Sequence, residues 1–188
     1  DIIEKNLDCI HYIKTPGDQL PLFNGANSIN LDQIKKYLDD YKPMNEKNLP
    51  GGLFRLKHKS HFLLMDIEKP PHKKFSKTYQ SGPLSFEYFL DGVKIITNSG
   101  FGNNISKKAE LLSRLTACQS TLTINDTSIT KFEKNEMISR IFGNSIQDSF
   151  KFFDVSSKND SNVTGCSASN NGYEKKFGCT HKREIYLD

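Results

Sequence analysis

LSFEYFLDGVKIITNSGFGNNISKKAELLSRLTACQSTLTINDTSIT, residues 84–130, decides the fold class of this chain. SFEYFL and VKIITN flank Asp91-Gly92, the residue pair that a two-residue type I′ hairpin turn favours. Phe86, Tyr88 and Leu90 alternate with Ser85, Glu87 and Phe89, the period of a strand with one core face. NSGFGNN at 98–104 then reads as a polar loop, followed by a basic segment and a third strand, STLTIND. The loop has two glycines but no P-loop Lys-Ser/Thr, so it makes no phosphate cradle.

Working outward, LFRLKHK and HFLLMDI predict a hairpin around Lys59-Ser60, and SFKFFDV and REIYL predict further strands. PPHKKFSK at 70–77 and the Ser/Asn/Asp stretch from Asp154 to Asn162 read as polar loops. Short strands separated by turn signals argue for a mainly β chain, an antiparallel β-sandwich. Before Pro50-Gly51-Gly52 the period is helical. IIEKNLDCIHYI places Ile3, Leu7 and Ile10 near one helical face, TPGD at 15–18 is a turn, and Asn30 is placed to cap a helix running to Tyr41. A helical segment that short makes no domain of its own, so residues 1–50 are expected to pack on something upstream. Both ends of the chain read as cuts in a longer protein.

At 188 residues the chain holds one domain plus an appendage. Thirteen Phe and seven Tyr with no Trp suit sheet packing, and the mean hydropathy of -0.58 means a very polar surface. The net charge is +4, with only four Arg among 26 basic residues, and Lys is scattered along the chain. Scattered Lys is the pattern of a solvated surface, so charge permits an anionic partner without arguing for one. No helix-turn-helix, RRM or OB pattern points to nucleic acid, and no apolar run is long enough to span a membrane. Cys9, Cys118, Cys166 and Cys179 have no CxxC spacing and read as free thiols, with a Cys166–Cys179 bridge left open.

Five segments in order carry a resemblance: LPLFNGAN (20–27), GGLFRLKHKSHFLLMD (51–66), LSFEYFLDGVKIITNSG (84–100), RLTACQSTLTINDTS (114–128) and ASNNGYEKKFGCTHKREIYLD (168–188). Together they resemble the C-terminal β-domain of the heparinase II/III family of polysaccharide lyases. The resemblance makes residues 1–50 the helical remnant and linker of an upstream (α/α) toroid, and residues 51–188 the β-sandwich, truncated at its C-terminal end. It also marks where this chain departs from the family. The His-x-His motif falls on Thr78 and Gln80, the metal-site Asp on Asn98, the next metal-site His on Gln119, and the His before Asp-Gly-Tyr on Asn170. Zinc takes imidazole, thiolate or carboxylate, and its ligands must shed protons. Gln80, Asn98 and Gln119 are therefore expected to form an amide hydrogen-bond network with no metal and no other cofactor.

The activity implied by the resemblance is β-elimination on an acidic, uronic-acid-containing polysaccharide such as a glycosaminoglycan, bound between toroid and β-domain. A base takes the proton beside the uronic carboxylate and an acid protonates the leaving oxygen. In the family much of that chemistry sits on the toroid, so this chain alone is expected to be inactive. It contributes no catalytic residue and one wall of the cleft: Tyr79, Gln80, Asn98, Arg114, Gln119 and His181 as substrate-binding groups. Arg114 is the expected carboxylate clamp, because a guanidinium binds carboxylates bidentately. His58, His61 and His72 read as surface residues. Lys73, Lys74 and Lys77 beside Tyr79, and Lys175, Lys176, Lys182 and Arg183 beside Tyr173, are basic stretches that an anionic polymer would suit. By resemblance the protein belongs in the cell envelope or periplasm. The alternative is a non-catalytic carbohydrate-binding or structural sandwich of a degenerate lyase.

Overall fold

The computed structural model describes residues 2–27, 29, 31–42, 50–160 and 163–188. Asn30 and Asn162 lie outside the described residues. Two antiparallel sheets make the body. The first joins β1 (Leu53–His58), β2 (His61–Asp66), β3 (Phe86–Leu90) and β4 (Val93–Ile96) in that order, and the second joins β5 (Phe152–Asn159), β6 (Thr164–Asn170) and β7 (His181–Leu187). Both tight hairpins of the first sheet form where expected. His58 pairs with His61 around Lys59-Ser60, and Leu90 pairs with Val93 around Asp91-Gly92. Lys59 (φ 50), Asp91 (φ 50) and Gly92 (φ 79) adopt the left-handed backbone that such turns demand.

The sheets stack face to face. Phe54, Leu56, Leu63, Met65 and Leu84 from one side meet Cys166, Ala168 and Leu187 from the other, which makes a sandwich core. The expectation of a single core face in the first sheet does not hold. Leu53, Phe62, Leu64 and Phe89 point away from the sandwich and form a second buried cluster with Phe23 and Ile13. The cover comes from the N-terminal segment. Its helix α1 (Ile2–Ile13) sets the Tyr12 ring under the Arg55 guanidinium at 4.4 Å, and the Tyr12 hydroxyl accepts from Arg55 N at 3.1 Å. Tyr12, not Ile3, is the buried residue of α1, and Ile3 is exposed. The N-terminal segment thus has a partner within this chain. A second short helix, α2 (Lys35–Asp40), buries Leu38, whose carbonyl contacts the His11 ring at 2.7 Å.

Three more differences have physical reasons. STLTIND forms no strand, only an isolated bridge between Ile124 and Thr127. Tyr173 reaches across to that segment, its hydroxyl donating to Leu122 O and Thr127 O at 3.0 and 3.1 Å. Residues 154–159, read as a loop, belong to β5, where the register shifts between Phe153 and Ser156 and Asp154 takes φ 52. β6, TGCSASN, carries no strand-like composition because it lies between two neighbours and is buried along its whole length. At Gly165 a Cβ would lie 2.3 Å from a Tyr186 ring carbon. The remaining helices are α3 (Lys107–Leu112), α4 (Glu136–Phe142) and α5 (Glu174–Phe177). A third cluster of Tyr79, Ile129, Ile146, Phe150 and Tyr173 anchors the irregular stretch between the sheets. All four cysteines are free, and burial raises the Cys166 thiol to about 12.

Candidate functional site

At the end of the first sheet opposite its hairpin turns, Gln80 joins three segments that the chain keeps far apart. Its Oε1 accepts from Gly25 N at 2.9 Å, and its Nε2 donates to Gly100 O and to Ser113 O, both at 2.9 Å. Gln119 Nε2 donates to the same Ser113 carbonyl at 2.7 Å. Asn98 stands beside them. Its Oδ1 accepts from Ser120 N at 2.9 Å and from the Ser120 hydroxyl at 3.1 Å. Gln80, Asn98 and Gln119 are all buried. They satisfy the backbone of their neighbours more than they bond one another, which suits amides that both donate and accept. The exception is Asn98 Nδ2, which is buried without a partner.

Under Asn98 lies Glu87, also buried. Its Oε1 accepts from the Thr97 hydroxyl at 2.6 Å and from Asn98 N at 3.3 Å, and its Oε2 faces the Lys94 ammonium at 3.7 Å. Arg114, the expected carboxylate clamp, is turned inward and only 1% exposed. Its Nε donates to Tyr79 O at 2.9 Å, an Nη donates to Ser76 O at 2.8 Å, and the guanidinium rests on the Phe132 ring at 4.3 Å. Burial lowers its pKa to about 10, which leaves it charged at neutral pH. This geometry makes Arg114 a pin for the 76–79 segment, with its guanidinium turned away from solvent.

His181 sits apart, cross-strand from Asn170 at the start of β7. Both are buried, and His181 Nδ1 and Asn170 Nδ2 have no hydrogen-bond partner. Burial and the nearby Arg183 charge lower the imidazole to about 4, so it is neutral at physiological pH. Arg183 itself donates to Leu84 O at 2.6 Å and Ser120 O at 2.8 Å, and Lys176 donates to Ser128 O at 2.6 Å. Much of the second basic stretch therefore stitches loops. His58 and His61 are half-buried, and His61 Nδ1 meets the Tyr88 hydroxyl at 2.7 Å. His72 is exposed, as expected.

The three amide side chains do not fit a transition metal. They are neutral, Gln80 and Gln119 turn amide nitrogens toward a common carbonyl, and the Gln80 and Asn98 oxygens are already accepting. Sequence reasoning missed Asp66. It is buried at the end of β2, accepting from Glu68 N at 2.9 Å and from Asn24 Nδ2 at 3.1 Å. Burial outweighs those bonds and raises its carboxyl to about 7. The neighbouring Tyr79 phenol is raised as well, by burial and by Asp66. Burial is the main cause of this behaviour, the Glu68 charge adds to it, and no motif in the chain announces it.

The fold and this buried polar hub define a two-sheet antiparallel sandwich stapled by side-chain amides. The chain belongs to the heparinase II/III-like family: the model of the family's C-terminal domain matches residues 45–188. No curated protein sequence matches it. Among solved structures it is similar to the heparinase III BT4657 gene product, with 17% identity and a TM-score of 0.62 over 94% of this chain and 28% of that one. It is also similar to the heparan sulfate lyase HepC from Pedobacter heparinus, with 16% identity and a TM-score of 0.61 over 93% of this chain and 28% of that one. A further heparinase III structure gives 14% identity and a TM-score of 0.63 over 98% and 32%. The chain thus spans about three-tenths of the proteins it is similar to. Among the described residues no helix is long and apolar enough to cross a membrane.

Proposed function

We propose that this chain is the β-sheet domain of a polysaccharide lyase that cleaves an acidic, uronic-acid-containing polysaccharide by β-elimination. In this reading the base and acid come from an upstream toroid domain, which residues 1–50 would adjoin, and the parent protein works in the cell envelope. Family membership over residues 45–188 is the observation that carries the reading. The burial of Tyr79, Gln80, Asn98, Arg114, Gln119 and His181 supports the inactivity of this chain alone, since none of them presents a solvent-facing base. These six then serve as the frame of one cleft wall, and the amide hub does the positional work that a metal does in the family pattern. Elimination creates a 4,5-unsaturated uronate that absorbs in the ultraviolet. The expected result is no absorbance rise with this chain and a rise with the longer protein that contains it. Unsaturated product from this chain alone would overturn the assignment.

The second reading is a non-catalytic carbohydrate-binding or structural module, favoured by the amides that stand where the family pattern has His and Asp. A longer protein that binds uronate oligosaccharides yet yields no unsaturated product would select it.

A further inference from the structure

A groove of about 790 Å³ opens at the hairpin end of the first sheet, away from the amide hub. The strand period explains its lining. β1 sends Phe54 and Leu56 into the sandwich core, so Leu53, Arg55 and Lys57 take the opposite face. Leu53 packs with Phe23, whereas Arg55 and Lys57, further along the strand, line the groove beside the turn at 15–18. Lys59, at φ 50 in the hairpin turn, and Ser60 extend the same wall, and Asn159 and Thr164 join it from the second sheet. The charge is one-sided. Asp18 and Asp91 are the acids of the lining, and Asp18 is taken by Lys14 and Lys35, each at 3.0 Å. Asp91 is then outnumbered by Arg55, Lys57 and Lys59. The Tyr12 ring and carbonyl hold Arg55 in place, while Lys57 and Lys59 are exposed and have no acidic partner among the described residues. Cations gathered in a concavity repel one another and focus their field, and an anion relieves both.

We propose that this groove is a second holding site for acidic polysaccharide, in which Lys57 and Lys59 grip the negative groups of the sugar chain and Ser60 and Asn159, both exposed, meet its hydroxyls. It rests on the acidic-polysaccharide reading and adds to it a grip at the sheet end remote from the amide hub. The volume lies within the range of ligand sites. Phe62, the large apolar side chain of the lining, is buried, so the groove offers no platform for a nucleic-acid base and no patch for an acyl chain. Recognition there runs through charge and hydrogen bonds, which selects an anionic sugar over a neutral one.

The test is an NMR titration of the ¹⁵N-labelled chain with three probes: an unsulfated tetrasaccharide of alternating glucuronate and N-acetylglucosamine, neutral cellotetraose, and inorganic phosphate. The uronate probe is expected to shift the amides of residues 55–61, Gly92 and Asn159. Lys57→Gln combined with Lys59→Gln, both at exposed sites, is expected to weaken its binding roughly fivefold to tenfold with an unchanged melting temperature. Lys107→Gln with Lys108→Gln, an exposed pair on α3, is expected to leave the affinity as it was. Equal losses from the two pairs would mean general charge attraction and overturn the site. Uronate binding that maps elsewhere, or that ignores the Lys57 and Lys59 changes, overturns the site and leaves the polysaccharide reading standing. Cellotetraose binding here as tightly as the uronate probe overturns recognition by charge. Phosphate producing the same shifts, with the tetrasaccharide binding no tighter, makes the groove a small-anion site and overturns its assignment to a polysaccharide. Absence of uronate binding overturns the site, and unsaturated product from the longer protein then decides the polysaccharide reading separately.

Discussion

Gln80 makes three hydrogen bonds from one buried side chain, so its removal is a sharp experiment. Gln80→Leu keeps the bulk and leaves Gly25 N and Gly100 O without their partner, at about 1–3 kcal/mol for each buried group. We expect a loss of roughly 3 kcal/mol in urea unfolding, and a loss below about 1 kcal/mol would show that water replaces the amide. Melting of the unaltered chain is expected to be the same with and without a strong chelator. Asp66 supplies a pH-dependent prediction. Its carboxyl is raised to about 7 in the folded chain from an ordinary 3.8, so between those values the native state holds a proton that the unfolded chain has released. Its contribution is therefore complete at acid pH and lost as pH rises through about 7. Asp66→Asn should be more favoured relative to the parent at pH 8 than at pH 5, by up to roughly 2 to 3 kcal/mol. His181 has the opposite sign, since its lowered value makes stability rise with pH between about 4 and 6.5. That contribution cancels when variant and parent are compared at the same pH. Urea midpoints at the two pH values decide, and a variant-to-parent difference independent of pH would refute the assignment.

The contact between the 98–104 turn and α3 depends on a glycine. A Cβ on Gly102 would lie 2.5 Å from Ala109 O, a backbone atom that cannot turn aside, while Gly102 N donates to the Ser113 hydroxyl at 2.9 Å. Gly102→Ala is expected to lower stability by about 1–3 kcal/mol and to broaden the amide resonances of residues 98–113. Gly17→Ala, where nothing lies within 4 Å, is the control and should be neutral within about 0.5 kcal/mol. Equal effects from the two would mean that the loss does not come from the close approach to α3. The hairpins differ in how openly their residues declare them. Asp91-Gly92 declares its turn by residue type, whereas Lys59-Ser60 is recognisable only through the apolar strands on either side.

For the whole molecule, the N-terminal segment converts the first sheet from one buried face to two. Phe23 is the residue through which it does so, packed with Leu53, Phe62, Leu64 and Phe89. Phe23→Ala should cost about 3–5 kcal/mol and open the segment to proteolysis near Lys14. Limited trypsin digestion followed by mass spectrometry reads this out. A variant with parental resistance would show that the sheet keeps its second face covered without Phe23.

Local rules in the chain were enough for the β class, the two tight turns, the helix at the start and the family motifs, because each depends on residue type and spacing over a few positions. That Gln80, Asn98 and Gln119 belong near one another was an expectation from the family resemblance and not from any local rule. The packing settled the rest. Arg114 was read as a substrate clamp because a guanidinium suits a carboxylate, yet its direction is set by the carbonyls of Ser76 and Tyr79, more than thirty residues away. β6 carries no strand signal, since its strand character comes from the neighbours that hydrogen-bond to it on both sides. The Asp66 carboxyl is raised to about 7 chiefly because the fold removes it from water, with the Glu68 charge adding to the shift. Burial and direction are properties of distant segments meeting, and no local pattern of residues contains them.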